Sequence, residues 1–563
     1  MPIFRGERVT SLIRVIIIAA IIGGFAVSSA GAREFSVVAI NAGDPAAVQR
    51  IADQGIDIWA VSGGTVTAAV TAEQLAWIQG QDFIWTMLFT SRAELDRTIR
   101  AAALPAAISY RNHDQVVAEM QHIAAQYPTI ARLYNLGTTY ENRPVWALKI
   151  TEKAYLDRSV PRILYCGEHH AREWISVEVP LRLADYIASN YATSPALQRR
   201  LNQGEIWIVP MVNPDGYLYS WTNDRWWRKN RRPVGSYYGV DLNRNYGYHW
   251  GEGGSSSDPS SEIYRGPSAF SEKETQAIRD LMLSRQFYSL ITYHNYSQLI
   301  LWPWGYTTSP APDAATFSSL GGQMASLIAA VHGFNYTPEQ SSTLYITSGD
   351  TCDWAYGVEA ATGVETVTPF TIELRPVGYP YFELPPDQII PTFEENLPAA
   401  MYLLDWTETG NPTVGIEVFT NLPVASFNIT GPTNYSGSGT HWLQTGVPNG
   451  SYAIAYNSVP GWVPPPPDGG SVNSTLLSFE ANYTPDYRRI SELKGRADGE
   501  PAALQAKTVT AVFAGYFYVE ETDNSSGIRV NWPTPPPEGT SVNVIGTMTT
   551  ESGERAINAQ TVE

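Results

Sequence analysis

The run Gly167-Glu168-His169-His170-Ala171-Arg172-Glu173 decides how the rest of this chain is read. His170 and Glu173 are three residues apart, one turn of helix, so an imidazole and a carboxylate can meet on a single ion. The run follows Arg162-Ile163-Leu164-Tyr165-Cys166, a β-prone stretch, which predicts a strand end opening into a helix. Open α/β sheets place ligands at such strand ends. A His-x-x-Glu pair alone is weak, because similar pairs occur on exposed helix faces. Its weight depends on the surrounding sequence.

A catalytic zinc takes three protein ligands and leaves one position open. The chain has only eight histidines, so a third ligand has few candidates. His294 ends the apolar run Ile291-Thr292-Tyr293. His113, His122 and His332 fall in helical, surface-like contexts, His249 in a Gly/Trp-rich loop, and His441 in a β-rich tail. A lone strand-end histidine is more often a satisfied core residue than a ligand, so by itself His294 leaves both readings open.

At 563 residues the chain is expected to hold about three to four domains. Residues 1–32 read as a signal peptide. Arg5, Arg8 and Arg14 form its basic region, Val15 to Val27 its apolar core, and Ala30-Gly31-Ala32 its cleavage site. That apolar stretch is short for a span and no later segment reads as long enough, so a secreted, extracellular protein without a membrane span is expected. A net charge of −18 disfavours polyanion binding, and no nucleic-acid partner is expected. Two cysteines, Cys166 and Cys352, cannot build a disulfide framework. Their pairing stays open, with a buried thiol at each site the simpler reading.

Residues 33 to about 95 read as a small α+β unit, with strands at Phe35–Ile40, Ile56–Val61 and Thr65–Val70 and helices at Pro45–Gln54 and Thr71–Gln79. An Arg- and Ala-rich segment, Arg92–Ala107, follows as an exposed connector in which Arg97 and Arg100 are natural protease targets. Strands and helices then alternate to about Trp406, which argues for an α/β domain over 107–407. Beyond Thr409 short strands are punctuated by Asn, Ser, Gly and Pro. Residues 411–485 read as a β-sandwich accessory module and 487–563 as a five-stranded barrel similar to an OB-fold. The ligand of this tail is unknown.

Seven ordered motifs between Tyr110 and Leu404 carry a resemblance. They are His169-His170-Ala171-Arg172-Glu173, Asn213-Pro214-Asp215-Gly216, Trp227-Arg228-Lys229, Gly239-Val240-Asp241-Leu242-Asn243-Arg244-Asn245, His294-Asn295-Tyr296-Ser297-Gln298, Thr343-Leu344-Tyr345-Ile346-Thr347-Ser348-Gly349 and Glu373-Leu374-Arg375. Together they resemble the zinc metallocarboxypeptidases of the carboxypeptidase A/B group, and the double histidine is most similar to the bacterial carboxypeptidase T branch. The resemblance implies a mixed eight-stranded twisted sheet flanked by helices. It makes residues 33–106 a propeptide over the active-site mouth, removed by an activating protease. It implies one zinc (Zn2+) on His170, Glu173 and His294, and the C-termini of peptides or proteins as substrates.

Residue by residue, Glu373 matches the general base and acid that serves the zinc-activated water. Arg228 matches the group that stabilises the oxyanion, though Arg225, Lys229, Arg231 and Arg232 form a basic run around it. Asn243 and Arg244 match the pair that binds the free carboxylate, for which a planar guanidinium is well suited. Tyr345 matches the mobile tyrosine that closes over the departing residue, and Arg172 and Tyr296 match residues that hold the peptide upstream. In the specificity pocket Cys352 stands where family members carry an aliphatic residue or an aspartate, with Asp350 two residues earlier. That combination implies mixed apolar and basic specificity, unless Asp350 turns away to cap a turn. The alternatives are a catalytically inactive peptide- or surface-binding protein of the same fold, or an endopeptidase or amidase. The retained ligands and Glu373 argue against the first, and Asn243, Arg244 and Tyr345 against the second.

Overall fold

Arg162–Gly167 is the strand whose end presents the motif, and its side chains divide between two cores. In the computed structural model, which describes residues 33–102, 109–357, 367–409, 415–472 and 476–563, Ile163 and Tyr165 enter one hydrophobic cluster. Leu164 and Cys166 enter another on the opposite face. Alternation of this kind follows from the two-residue repeat of a strand. A sheet buried on both faces needs helices on both.

The small N-terminal unit comprises β1 (Ser36–Asn41), α1 (Pro45–Ala52), β2 (Asp57–Ser62), β3 (Thr65–Val70), α2 (Ala72–Gln79), β4 (Ile84–Phe89) and α3 (Arg92–Ala102). Its antiparallel sheet runs β2-β3-β1-β4. Asp44 caps α1 and Thr71 caps α2 through a capping box. The two helices cover one face over Val38, Ile40, Val66 and Ala68. The other face, with Phe35, Val37 and Trp59, lies on Trp226, Tyr296, Tyr381 and Phe382 of the next domain.

Two features of this unit depart from the sequence reading. β4 is an additional strand. The connector expected over Arg92–Ala107 is instead helical to Ala102. Leu95 is fully buried, Arg92 pairs with Asp224 at 2.7 Å, and Asp96 accepts a 2.8 Å hydrogen bond from Trp226. Alanine and arginine favour helix, and these anchors dock it. Arg97 and Arg100 stay exposed. The rest of the expected connector, 103–107, and the expected leader, 1–32, lie outside the described residues.

The large domain continues with α4 (His113–Gln126), β5 (Ala131–Thr138), β6 (Pro144–Ile150), β7 (Arg162–Gly167), α5 (Ile175–Asn190), α6 (Pro195–Gln203), β8 (Glu205–Val209) and α7 (Pro214–Thr222). A short hairpin, β9 (Pro233–Val234) and β10 (Tyr237–Tyr238), precedes α8 (Lys273–Arg285), β11 (Ser289–Asn295), β12 (Leu299–Trp302) and α9 (Ala314–His332). The domain ends with β13 (Thr337–Gln340), α10 (Thr351–Gly357), β14 (Thr368–Leu374) and α11 (Ile389–Thr409). Eight strands form one mixed sheet, β13-β12-β14-β11-β7-β8-β6-β5. The central β14, β11, β7 and β8 run parallel, and their register sets His294 beside Glu373 and Tyr293 beside Gly167. The carboxyl ends of β7, β11 and β14 therefore meet at one place.

Against the expectation of no later apolar span, α9 is long and apolar enough to cross a membrane. Its Phe317, Leu320, Met324 and Ile328 nevertheless pack as a stripe into the main core, the pattern of a helix resting on a sheet. Cys166 and Cys352 are both free and buried.

Residues 415–472 and 476–485 form a three-stranded and a four-stranded sheet, with a short two-stranded pair beside them, enclosing Ile416, Val418, Phe427, Ile454 and Phe479. Glu480 of this module accepts a 2.6 Å hydrogen bond from Ser194 at the start of α6, and Glu417 lies 3.1 Å from Arg199. The last five strands, Pro501–Phe513, Tyr516–Glu520, Gly527–Asn531, Ser541–Glu551 and Glu554–Val562, close a barrel in the order 1-2-3-5-4. Its third and fifth strands are parallel.

Candidate active site

β7 ends at Gly167, where a side chain would meet the Ser176 carbonyl oxygen at 2.0 Å. Only glycine lets the strand end come this close to α5. Glu168 then adopts a left-handed backbone, φ 59°, and turns the chain. The pair His170 and Glu173 is not on a regular helix, as its spacing predicted, because α5 begins only at Ile175. A single turn closed by Glu173 N–H to His170 O at 3.1 Å brings the two side chains to the same side.

His294, at the end of β11, completes the group. The ligand atoms of His170, Glu173 and His294 lie within 4.8 Å of one another, and all three residues are buried. His170 Nδ1 is 2.9 Å from Glu173 Oε1, His294 Nδ1 is 3.1 Å from Glu173 Oε2, and the two Nδ1 atoms are 3.2 Å apart. Asp241 Oδ1 lies 3.1 Å from His170 Nε2 and fixes the ring proton there. Burial, with Arg228 adding to it, pushes His170 below its ordinary range and so toward the neutral ring. A neutral ring protonated at Nε2 points its Nδ1 lone pair at a carboxylate oxygen, an arrangement that suits a cation held between them. Burial opposes charge on His294 but Glu173 outweighs it, so this ring, unlike His170, is drawn toward positive charge. The donor set, two imidazoles and a carboxylate, fits zinc.

The three residues open on a cavity of about 110 Å³ that also touches Arg172, Arg228, Asn243, Arg244, Tyr296, Tyr345, Asp350 and Glu373. Cys352 lies behind its wall, with Sγ 3.2 Å from the hydroxyl of Thr371, which lines the cavity. Of the basic run, only Arg228 lines the cavity. Arg225 bonds the Arg172 and Phe382 carbonyls, Lys229 those of Pro259 and Ser261, Arg231 stacks on Tyr219, and Arg232 pairs with Glu272. Arg228 is held by Asp241 Oδ2, at 3.2 Å from Nε and 2.9 Å from Nη2. One buried carboxylate thus orients both a candidate metal ligand and the cavity arginine. Nothing in the sequence marked Asp241 for this role beyond its place in a quoted motif.

Glu373 is half-buried near the end of β14. Burial pushes its carboxyl up to about 8, with Glu173 adding and His294 and Arg228 opposing. Arg375 does not pair with it. That arginine forms a two-pronged ion pair with Glu395 of α11, with Nε 2.8 Å from Oε1. Glu373 is left to face the cavity.

At the other end, Asn243 Oδ1 accepts from Thr351 N–H at 2.9 Å and the Thr351 hydroxyl at 2.8 Å. Its NH2 group is therefore the end available to a ligand. Arg244 spends Nε on Gly254 O at 2.9 Å and Nη1 on Asn243 O at 2.8 Å, leaving Nη2. Asp350 lines the cavity and also caps α10: its Oδ1 accepts the Asp353 N–H at 2.9 Å, while Oδ2 lies 3.3 Å from the Thr347 hydroxyl. A side chain at Gly305 would meet that Oδ2 at 2.9 Å, so the glycine makes room for the carboxylate. Burial raises Asp350 above the ordinary carboxylate range.

The small unit roofs the cavity with Ile58, Trp59, Ala60 and Val61. Beneath them Asp57 holds Arg172 in a buried two-pronged pair, 2.7 Å and 2.8 Å. Burial opposes ionisation of Asp57, yet Arg172 holds its carboxyl well below the ordinary range. Tyr345 packs against the roof's own core, and the Ile346 N–H donates to Gln49 of α1 at 2.7 Å. No local pattern marks Asp57, which lies 115 residues from its partner.

Residues 116–399 match the family model described as zinc carboxypeptidase. Carboxypeptidase B of Astacus astacus is 38% identical over 293 residues, 51% of this chain and 93% of that protein. A zinc carboxypeptidase of Saccharothrix mutabilis subsp. capreolus is 32% identical over 400 residues, 67% of this chain and 89% of that protein. Among solved structures, carboxypeptidase A from Helicoverpa armigera superposes with a TM-score of 0.58 at 25% identity, covering 67% of this chain and 98% of its own. Thrombin-activatable fibrinolysis inhibitor superposes with a TM-score of 0.56 at 27% identity, covering 67% and 99%.

Proposed function

Because the chain belongs to the zinc carboxypeptidase family, and is therefore a zinc-dependent peptide hydrolase acting at peptide C-termini, we propose that it is exported as a latent precursor and removes both apolar and basic C-terminal residues. The observation that carries this reading is the convergence of His170, Glu173 and His294 on a cavity that also holds Glu373, Arg228 and Arg244.

His170, Glu173 and His294 would hold the zinc, which when bound would supply Lewis acidity and lower the pKa of water. Glu373, facing the same cavity, takes the proton of the attacking water and returns it to the departing amine. Arg228, fixed by Asp241, meets the oxyanion as the carbonyl becomes tetrahedral, when a preorganised charge is most effective. Arg244 and the Asn243 NH2 bind the terminal carboxylate, and Tyr345 covers the departing residue. Arg172 and Tyr296 hold the peptide on the other side of the scissile bond. Asp350 gives the pocket an ionisable wall and Thr371, backed by Cys352, a weakly polar one, the basis for mixed specificity.

Latency follows from the roof. While Asp57 occupies Arg172 and the β2 backbone lies over the cavity, a peptide cannot run through it. Activation requires cleavage beyond the docked part of α3, at Arg100 or later, because a helix must open locally before a protease can cut it. The test is a panel of blocked dipeptides ending in Lys, Arg, Leu or Phe, assayed after trypsin treatment with and without chelator. Chelator-sensitive hydrolysis of both classes is expected. Equal hydrolysis of the C-terminal amides would contradict carboxylate recognition.

A further inference from the structure

His169, next to the first ligand, is fully buried and takes no part in the chemistry above. Its ring stacks on His294, with centroids 5.5 Å apart and planes 13° apart. Its Nδ1 lies 3.2 Å from the Thr292 hydroxyl, and its Nε2 lies 3.2 Å from the Thr351 hydroxyl and 2.9 Å from that of Tyr246. One fixed donor sets the directions of these bonds. The Thr351 backbone N–H can only donate, so the atom of Asn243 facing it must be Oδ1. The Thr351 hydroxyl lies 2.8 Å from the same oxygen and must donate as well. With its proton so committed, that hydroxyl can only accept from His169, which therefore carries its proton on Nε2, shared with Tyr246. Nδ1 is then the acceptor for the Thr292 hydroxyl.

We propose that His169 is a positioning residue for substrate binding: through Thr351 it orients the Asn243 amide so that NH2, and not C=O, faces the substrate's terminal carboxylate. This inference rests on the carboxylate-binding reading of Asn243 given above. Without the His169 donor the Thr351 hydroxyl is free to rotate, and the amide loses one of the two bonds that fix it. A flipped Asn243 presents a lone pair to the carboxylate, so the cost falls on binding of the free C-terminus. The two ligands His170 and His294 keep their own partners, Asp241 and Glu173, so metal content and the chemical step are spared.

The experiment compares His169→Leu, His169→Gln, Thr351→Val and Asn243→Ala in the trypsin-activated full chain, measuring kcat, KM and zinc content on a blocked dipeptide with a free carboxylate. Glutamine places an amide N–H near the imidazole Nε2 position and restores the donor. His169→Leu and Thr351→Val are expected to raise KM about tenfold, near the lower end of the worth of a hydrogen bond to a charged group. Their kcat and zinc content should stay within about twofold of the parent enzyme, and His169→Gln should return KM close to the parent value. A fall in kcat with loss of zinc at unchanged KM overturns the proposal, because His169 would then serve the metal ligands. A His169→Gln variant as impaired as His169→Leu also overturns it. If Asn243→Ala leaves KM unchanged, it is the carboxylate-binding reading that has failed. If Asn243→Ala raises KM while the His169 and Thr351 variants do not, only the present inference has failed.

Discussion

Replacing Asp57 with alanine tests whether the small unit enforces latency through one buried ion pair. Asp57 and Arg172 are each 2% exposed at the side chain, and two hydrogen bonds join them. Arg33 lies farther off, at 3.6 Å from the same carboxylate. Removing one partner of a buried pair costs about 3–5 kcal/mol, because the other charge is left uncompensated. Arg172 keeps Phe382 and Trp59 against its guanidinium, at 4.2 Å and 5.7 Å, which favours the low end. About 3 kcal/mol is roughly two orders of magnitude in the affinity of the unit for the cavity. The other anchors, Arg92 to Asp224 and Trp226 to Asp96, keep the variant assembled, so the change reads as leakiness. The assay is hydrolysis of a blocked dipeptide by uncleaved precursor, followed by trypsin treatment and titration of inhibition by the released unit. Raised precursor activity and about a hundredfold weaker inhibition are expected, with the exposed Asp82→Ala as control. A change below twofold in both would refute the reasoning. The depressed carboxyl of Asp57 also sets a sign. Its contribution to docking is present above the ordinary carboxylate pKa of about 3.9 and is lost only as pH falls below it. Exposure to pH 5 should therefore leave the precursor latent.

Glu373→Gln should lower kcat by about a hundredfold or more while zinc content by elemental analysis stays at that of the parent enzyme, since the residue is not a ligand. Loss of zinc, or near-normal turnover, would show that its role is different. Asp350→Asn keeps the α10 cap, because asparagine caps as well as aspartate. It should cut kcat/KM on Lys and Arg substrates more than tenfold, about 1.4 kcal/mol, and leave Leu and Phe substrates far less affected. An equal loss on both classes would assign Asp350 a structural role only. Because burial raises the Asp350 carboxyl, its ionised fraction grows with pH. The Lys-to-Leu preference should therefore rise with pH in the parent enzyme and be flat in Asp350→Asn.

Much of the site can be read from the sequence because its parts are local. His170 and Glu173 share one tight turn, and His294 and Glu373 end strongly apolar strands that alternate between two cores. Where the reading fell short, the decisive contact joins distant segments. Asp241 meets His170 across 71 residues, and its importance depends on burial that no local pattern encodes. The helix over Arg92–Ala102 looked like a solvated connector because its composition is charged. Its buried Leu95 joins a cluster shared with the next domain, and its Arg92 pairs with Asp224 there, contacts that no local pattern encodes. β4 was missed for a related reason. Ile-Trp-Thr-Met-Leu-Phe is apolar almost throughout, and Ile84 remains 75% exposed at the edge of the sheet, so no alternation marks a buried face. The i, i+3 spacing of the motif pointed to a helix, and a left-handed Glu168 produces the same convergence with a turn.

The most direct test of the account is the product ladder from one peptide. A peptide with mixed Leu, Phe and Lys residues at its C-terminal end is incubated with trypsin-activated protein, freed of trypsin, and followed by mass spectrometry with and without chelator and added zinc. The account predicts stepwise loss of single residues from the C-terminus only, stopped by the chelator and restored by zinc. Internal cleavage, or a ladder that continues unchanged in metal-free protein, would contradict it.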